Sequence, residues 1–191
     1  MFILYAIVVG LVAGVALGGR VTALGDIRFR WAPLVVAGFL AQVVLFSDAV
    51  ASRIGDAGPL LYVATTVIVG AAVVRNLRLP GMPMIVAGAA ANLAAILANG
   101  GFMPTTADAL QAAGRTTGAA YSNSAVLAHP ALEPLIDRFA LPPWLPFANV
   151  FSVGDVLIGV GVALLIVATM RGGRRSAPAM PAVPAAGAPL H

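Results

Sequence analysis

The chain contains no cysteine and no lysine, and only 9% of its 191 residues are charged. The missing thiols exclude disulfides, thiolate metal sites and cysteine nucleophiles. The scarcity of charge excludes an ordinary soluble domain, where roughly 25% of residues are charged and 45–50% apolar. Here 60% are hydrophobic and the mean hydropathy is +0.97. Histidine is scarce as well. His129 stands alone before Pro130 and His191 is the last residue, so no second His or Cys lies at metal-ligand spacing. No glycine-rich loop follows a strand, and neither a Walker sequence nor a nucleophile elbow is present. No cofactor, metal or catalytic set is implied.

What is present is a series of apolar runs, at about 2–19, 32–48, 59–74, 81–98 and 150–170. A bilayer core of about 30 Å takes roughly 17–25 helical residues, so these predict five transmembrane helices. The second and third runs are short, and interfacial residues such as Trp31, Phe46 and Tyr62 extend them. None of the runs shows the repeating polar face of a soluble bundle. The expected fold class is therefore all-α, a polytopic membrane domain over residues 1–175 with a structured outer loop at 99–149. Residues 176–191, rich in Pro and Ala, read as a disordered tail.

All eleven basic residues are arginines. Arg20, Arg28, Arg30, Arg75, Arg78, Arg171, Arg174 and Arg175 follow the first, third and fifth runs, whereas Arg53, Arg115 and Arg138 fall on the other side. The positive-inside rule places the N-terminus outside and the C-terminus in the cytoplasm. Arginines at inner junctions also imply contact with anionic membrane lipid, not nucleic acid. The first run lacks a basic n-region and a convincing A-x-A site, and its charges come after it, so it reads as a helix and not a cleaved signal.

Small residues at four-residue spacing predict close helix packing: Gly10, Gly14 and Gly18 in the first run, Ala87, Ala91 and Ala95 in the fourth, Gly159 and Ala163 in the fifth. The glycine stripe serves either packing within the chain or a homo-oligomer seam. Pro33, Pro80 and Pro83 mark helix starts. In the outer loop, Thr105 or Thr106 can cap a short helix with Asp108 in its first turn and Gly114 behind it. A second helix is expected from Pro130 through 131–139, with Leu132, Leu135, Ile136 and Phe139 on one side, lying on the membrane or lidding the bundle.

Polar side chains inside the runs are few. Gln42, Thr65, Thr66, Asn92, Asn99 and Asp155 are the candidates, and Asn92 and Asn99, two helical turns apart, share a face. Gln42 and Asn92 suit interhelical hydrogen bonds. A transmembrane carboxylate is a functional hypothesis by default, but with Asn149 or Ser152 as N-cap Asp155 also suits the first turn of its helix.

LPGM at 79–82, ANGGFMP at 98–104, YSN at 121–123 and NVFSVGDVLI at 149–158 occur in order, and in these the chain resembles a family of small bacterial multipass membrane proteins of unknown function. The resemblance implies five helices in a bacterial cytoplasmic membrane and points to the outer loop, including Tyr121 and Asn123. A second, local resemblance links FSVGDVLIGVGVALL at 151–165 to the last helix of lipoprotein signal peptidases, with Asp155 on one catalytic aspartate. Their other aspartate falls on Ala95 here, although Asn92 matches. Peptidase activity would then require Asp108, Glu133 or Asp137 to fold back from the loop.

The expectation is a non-enzymatic binding or scaffold protein. Gly100 and Gly101 end the fourth helix with φ > 0 and the outer loop closes, anchored by Trp144 and Phe147, over a polar pocket holding Asn99 and Asp155. That pocket would take a lipid, a peptide or a helix. A transporter component and the membrane hydrolase are the alternatives.

Overall fold

A computed structural model describes residues 2–55, 57–115 and 124–172. Tyr121, Asn123, Arg174, Arg175 and the 176–191 tail lie outside the described residues. The chain is mostly helical, with α1 (Phe2–Ala16), α2 (Ala32–Leu45), a single turn α3 (Asp48–Ala51), α4 (Ala57–Val74), α5 (Met82–Ala98), α6 (Ala107–Ala112) and α7 (Val153–Gly172). An all-α fold needs correction, because four very short strands form between α5 and α7. β1 (Met103–Thr105) pairs in parallel with β2 (Ser124–Val126), and β3 (Phe139–Ala140) pairs antiparallel with β4 (Val150–Phe151).

Two helices, α4 with 18 residues and α7 with 20, are long and apolar enough to cross a membrane; α1, α2 and α5 are apolar but shorter. Local chemistry sets those lengths. Gly18 at φ 75° stops α1. Pro33 and Pro83 occupy the first turns of α2 and α5, where a missing N–H costs little. Large apolar side chains point outward along the helices: Val9 on α1, Val43 on α2 and Leu60 on α4 are each more than 60% exposed.

The main helix pairings place α7 between α1 and α5, and α4 between α5 and α2, so neighbours in space run α2, α4, α5, α7, α1. Glycines set the two tightest seams. A Cβ on Gly10 would lie 3.0 Å from the Ala163 backbone and one on Gly14 2.4 Å from Met170 Sδ, so these two residues of the α1 stripe pack against α7 within the chain. Of the expected Ala87–Ala91–Ala95 series on α5, Ala95 is fully buried in a core cluster while Ala87 is exposed. Gly81 and Gly88 meet Gly161 and Gly154 of α7 backbone to backbone, at the seven-residue spacing that returns to one helix face after two turns.

Gln42 joins α2 to α4. Its Nε2 donates to Thr65 Oγ1 at 3.3 Å and Thr66 Oγ1 at 3.2 Å, while each hydroxyl donates to a carbonyl of its own helix. Gln42→Leu is expected to lower stability in detergent by about 1 kcal/mol, the usual worth of an interhelical hydrogen bond. A thermal unfolding midpoint equal to wild type would refute that role.

Because the chain reverses between successive helices, Arg20, Arg28, Arg30, Arg75, Arg78 and Arg171 gather at one end of the bundle. The 99–149 segment and Asp155 lie at the other.

Candidate functional site

The opposite end from the arginines is built on α5 and α7. Ser152 caps α7: the Asp155 N–H donates to Ser152 Oγ and the Ser152 N–H donates to Asp155 Oδ2, both at 3.1 Å. This reciprocal pair satisfies two first-turn donors, with Asp in the place a capping box usually gives to Glu. Of the two expected caps, Ser152 is the one used; Asn149 contributes its backbone carbonyl, which accepts from Leu141 N–H at 3.0 Å. Asn92 of α5 completes a closed ring of bonds. Its Nδ2 donates to Asp155 Oδ1 and its Oδ1 accepts from Ser152 Oγ, each at 2.8 Å. The ring sits where Gly154 lets the helices touch, since a Cβ there would lie 1.9 Å from Asn92 Oδ1.

The stretch ANGGFMP carries the chain from α5 into the loop. Gly100 (φ 72°) and Gly101 (φ 89°) make the left-handed turn, and the Gly101 N–H returns to Ile96 O at 2.9 Å. β1 follows, with all three residues buried. Thr106 caps α6 by accepting from Ala109 N–H at 3.1 Å, with Asp108 in the first turn and Gly114 (φ 65°) beyond the end. Thr105 serves differently, donating its hydroxyl to Asp137 O at 2.9 Å.

The helix expected over 131–139 does not form; only the 3-10 turn Glu133–Leu135 does. Leu132 enters it at φ 54°, Pro134 supplies no N–H, and the Asp137 N–H is taken by Pro104 O at 2.9 Å. The segment therefore pairs with β1, and its side chains separate, Ile136 buried and Leu132 and Phe139 exposed.

That pairing buries Asp137 to 7% exposure. Its Oδ1 is a buried polar atom without a hydrogen-bond partner, a condition that ordinarily signals strain or a functional role. Burial, and secondarily the nearby charge of Asp155, push the Asp137 carboxyl from 3.8 up to about 7. Among the loop acids considered as partners for Asp155, Asp137 lies within its electrostatic reach. On the outer side of the same segment, Thr106, Asp108, Arg138 and Phe139 line an open bowl of about 520 Å³.

The remaining candidates are placed apart from this ring. Asn99 fastens the loop: its Nδ2 donates to Ala95 O at 2.7 Å and Ala131 O at 2.9 Å, and its Oδ1 accepts from Ala131 N–H at 2.8 Å. Gln42 lies on α2 facing α4. Trp144 and Phe147 are 77% and 67% exposed, as side chains at an interface would be. Among the described residues no group of three His, Asp or Glu could hold a metal ion. Asn99→Ala should release the loop and speed exchange of the Ala131 amide about tenfold, the consequence of losing that hydrogen bond. Unchanged hydrogen exchange there would show that the loop is held elsewhere.

Residues 26–167 match the Family of unknown function (DUF5317). The chain belongs to this family. The DUF5317 match begins after α1 and runs from α2 through most of α7, so it includes Asn92, Asp137, Ser152 and Asp155. No curated protein and no solved structure matches the chain.

Asp137 did not stand out in the sequence as a site residue of the first rank. Its signal is an acid inside the apolar stretch PLIDRF, which is weak without knowledge of the strand pairing.

Proposed function

We propose that this DUF5317 protein is a multipass membrane protein with five spanning helices, its N-terminus and 99–149 segment outside, and that it binds a ligand at the Asp137–Asp155 pair beneath that segment. The outward apolar side chains and the arginine-rich end support the membrane placement. The observation that carries the binding site is Asp137, delivered by the loop into a buried position within electrostatic reach of Asp155 and with one oxygen unpaired. A buried oxygen of that kind suits a donor from a ligand, such as an amine or hydroxyl. The loop is then a lid.

Mass spectrometry of co-purifying small molecules and peptides tests this. A species held by wild type should be lost from Asp137→Asn and Asp155→Asn alike, and identical profiles would dismiss the site. A carboxy-terminal reporter should read as cytoplasmic, and an external signal would reverse the topology.

The same pair favours a second reading, a membrane hydrolase. Asp155 accepts hydrogen bonds from Asn92 and the Ser152 N–H, which fix its carboxyl oxygens, while burial favours the protonated form of Asp137. Asp155 would take a proton from water as its oxygen bonds to a carbonyl carbon, and Asp137 would give its proton to the carbonyl oxygen; the tetrahedral diol would then collapse with cleavage of the C–N bond, Asp155 passing its proton to the leaving nitrogen and Asp137 retaking one from the diol hydroxyl. Cleavage of a lipoprotein-precursor peptide by wild type, abolished in either variant, would establish this reading; a peptide left intact leaves binding as the function.

A further inference from the structure

At the arginine-rich end, Arg30, Trp31, Arg75 and Arg78 surround a bowl of about 550 Å³. Among the described residues no ion pair engages these guanidinium groups, and the side chains of Arg30, Arg75 and Arg78 are exposed. The bowl is built and not accidental. Asn76, 4% exposed, accepts from Arg30 N–H and donates to Arg30 O, both at 2.8 Å, and also donates to Ala72 O at 2.7 Å. One buried amide thus ties the turn carrying Arg30 to the end of α4 carrying Arg75. The next residue, Trp31, is held at φ 62°, a costly conformation for a bulky side chain.

Ala71 and Val74 line this bowl and also line a second cavity, an apolar cleft of about 310 Å³ along the seam between α4 and α5. Val67 and Gly70 form one wall, Val86, Ala90 and Leu93 the other. That seam is the thinnest of the four between the principal helices. A Cβ on Gly70 would meet nothing within 4 Å, so the groove is open there.

A cationic mouth continuous with a dry groove at membrane depth matches one amphiphile. We propose that this is a binding site for an anionic phospholipid, its phosphate among Arg30, Arg75 and Arg78, its glycerol region against Trp31, and one acyl chain along the α4–α5 groove. Guanidinium forks favour phosphate oxygens, and the indole favours the interfacial depth. The inference rests on the membrane placement proposed above but is independent of the acidic pair at the opposite end.

The test uses the full chain in dodecyl maltoside, with dioleoyl phosphatidylglycerol or dioleoyl phosphatidylcholine added, reading retained lipid by native mass spectrometry and stability by thermal unfolding. Wild type should retain phosphatidylglycerol in preference. The preference should fall about fivefold for each arginine removed in Arg75→Gln and Arg75→Gln/Arg78→Gln. Gly70→Leu, which has room to fold, should reduce retention of both lipids by filling the groove. Glycerol phosphate, a headgroup without chains, should neither stabilise the protein nor displace lipid. Equal retention of the two lipids by wild type, a preference unchanged in the double variant, or glycerol phosphate matching the lipid would each overturn the proposal. Asp137→Asn should leave lipid preference intact, which separates failure here from failure at the acidic pair.

Discussion

At pH 8, Asp137→Asn is expected to be more stable than the wild-type chain, by up to about 4 kcal/mol. The carboxyl is pushed up from 3.8 to about 7 in the folded protein, and each tenfold in proton affinity is worth about 1.4 kcal/mol. Between these two values the folded chain holds a proton that the unfolded chain has released. Stability therefore falls as pH rises through that interval and reaches its floor above about 7. Asparagine removes the ionisation while keeping nearly the same shape, so the variant should show a flat profile between pH 5 and 8 where wild type declines. Asp155→Asn should make that decline smaller and end it at lower pH, because the neighbouring negative charge is the smaller of the two causes of the raised value and its removal makes ionisation of Asp137 easier. Thermal or denaturant unfolding in detergent at several pH values measures both effects. A slope that survives in Asp137→Asn would mean that another group titrates, and the acidic pair would lose its basis.

The second large effect is expected at the α5–α7 seam. Gly81 begins α5 at φ 81°, and a Cβ on it would sit 2.0 Å from Gly161 O. Gly81→Ala combines a left-handed conformation that disfavours any side chain with a backbone collision that no rotamer relieves. The two penalties together should cost about 3 kcal/mol or more. The collision lies about three turns from Asn92 and its ring with Ser152 and Asp155, on the same face of α5. Prising the helices apart should therefore also loosen those three bonds, seen as faster exchange of the Ser152 and Asp155 amides. Gly100→Ala is the control: it also has positive φ, but a Cβ there would meet nothing within 4 Å, so only the conformational penalty of roughly 1–2 kcal/mol applies. Equal losses in the two variants would show that the seam is less tightly packed than its geometry requires.

Much of the helical layout was legible from hydropathy alone, because burying backbone in an apolar surrounding demands long apolar helices and little else. The α4 and α5 bounds fall within two residues of the expected runs; α7 starts three residues late and ends two late, since Ser152 takes the cap and 150–151 pair as a strand. Helix α1 ends three residues early, at Ala16, with Gly18 in the left-handed turn beyond it. Asn92 makes an interhelical hydrogen bond, the role expected of it, and its partner is Asp155. The failures concentrate in the loop. Leu132, Leu135, Ile136 and Phe139 carry a helical period, yet Pro134 and the strand pairing with Thr105 override it. Asn99 has the right polarity for the site but the wrong partner, since Ala131 reaches it first.

Taken by itself, the amino-acid order determined that the chain is helical and apolar, where its helices begin and end to within a few residues, and which end of the bundle collects arginine. These are local properties, set by hydration of side chains and by the torsional limits of proline and glycine. Only the tertiary structure decided that Asp137 is buried within electrostatic reach of Asp155, that Asn76 fixes Arg30 against the end of α4, and that Gly81 and Gly88 rather than Ala87 meet α7. Each of those depends on contacts between residues distant in the chain, where burial and charge act through space and leave no periodic trace in the order of residues.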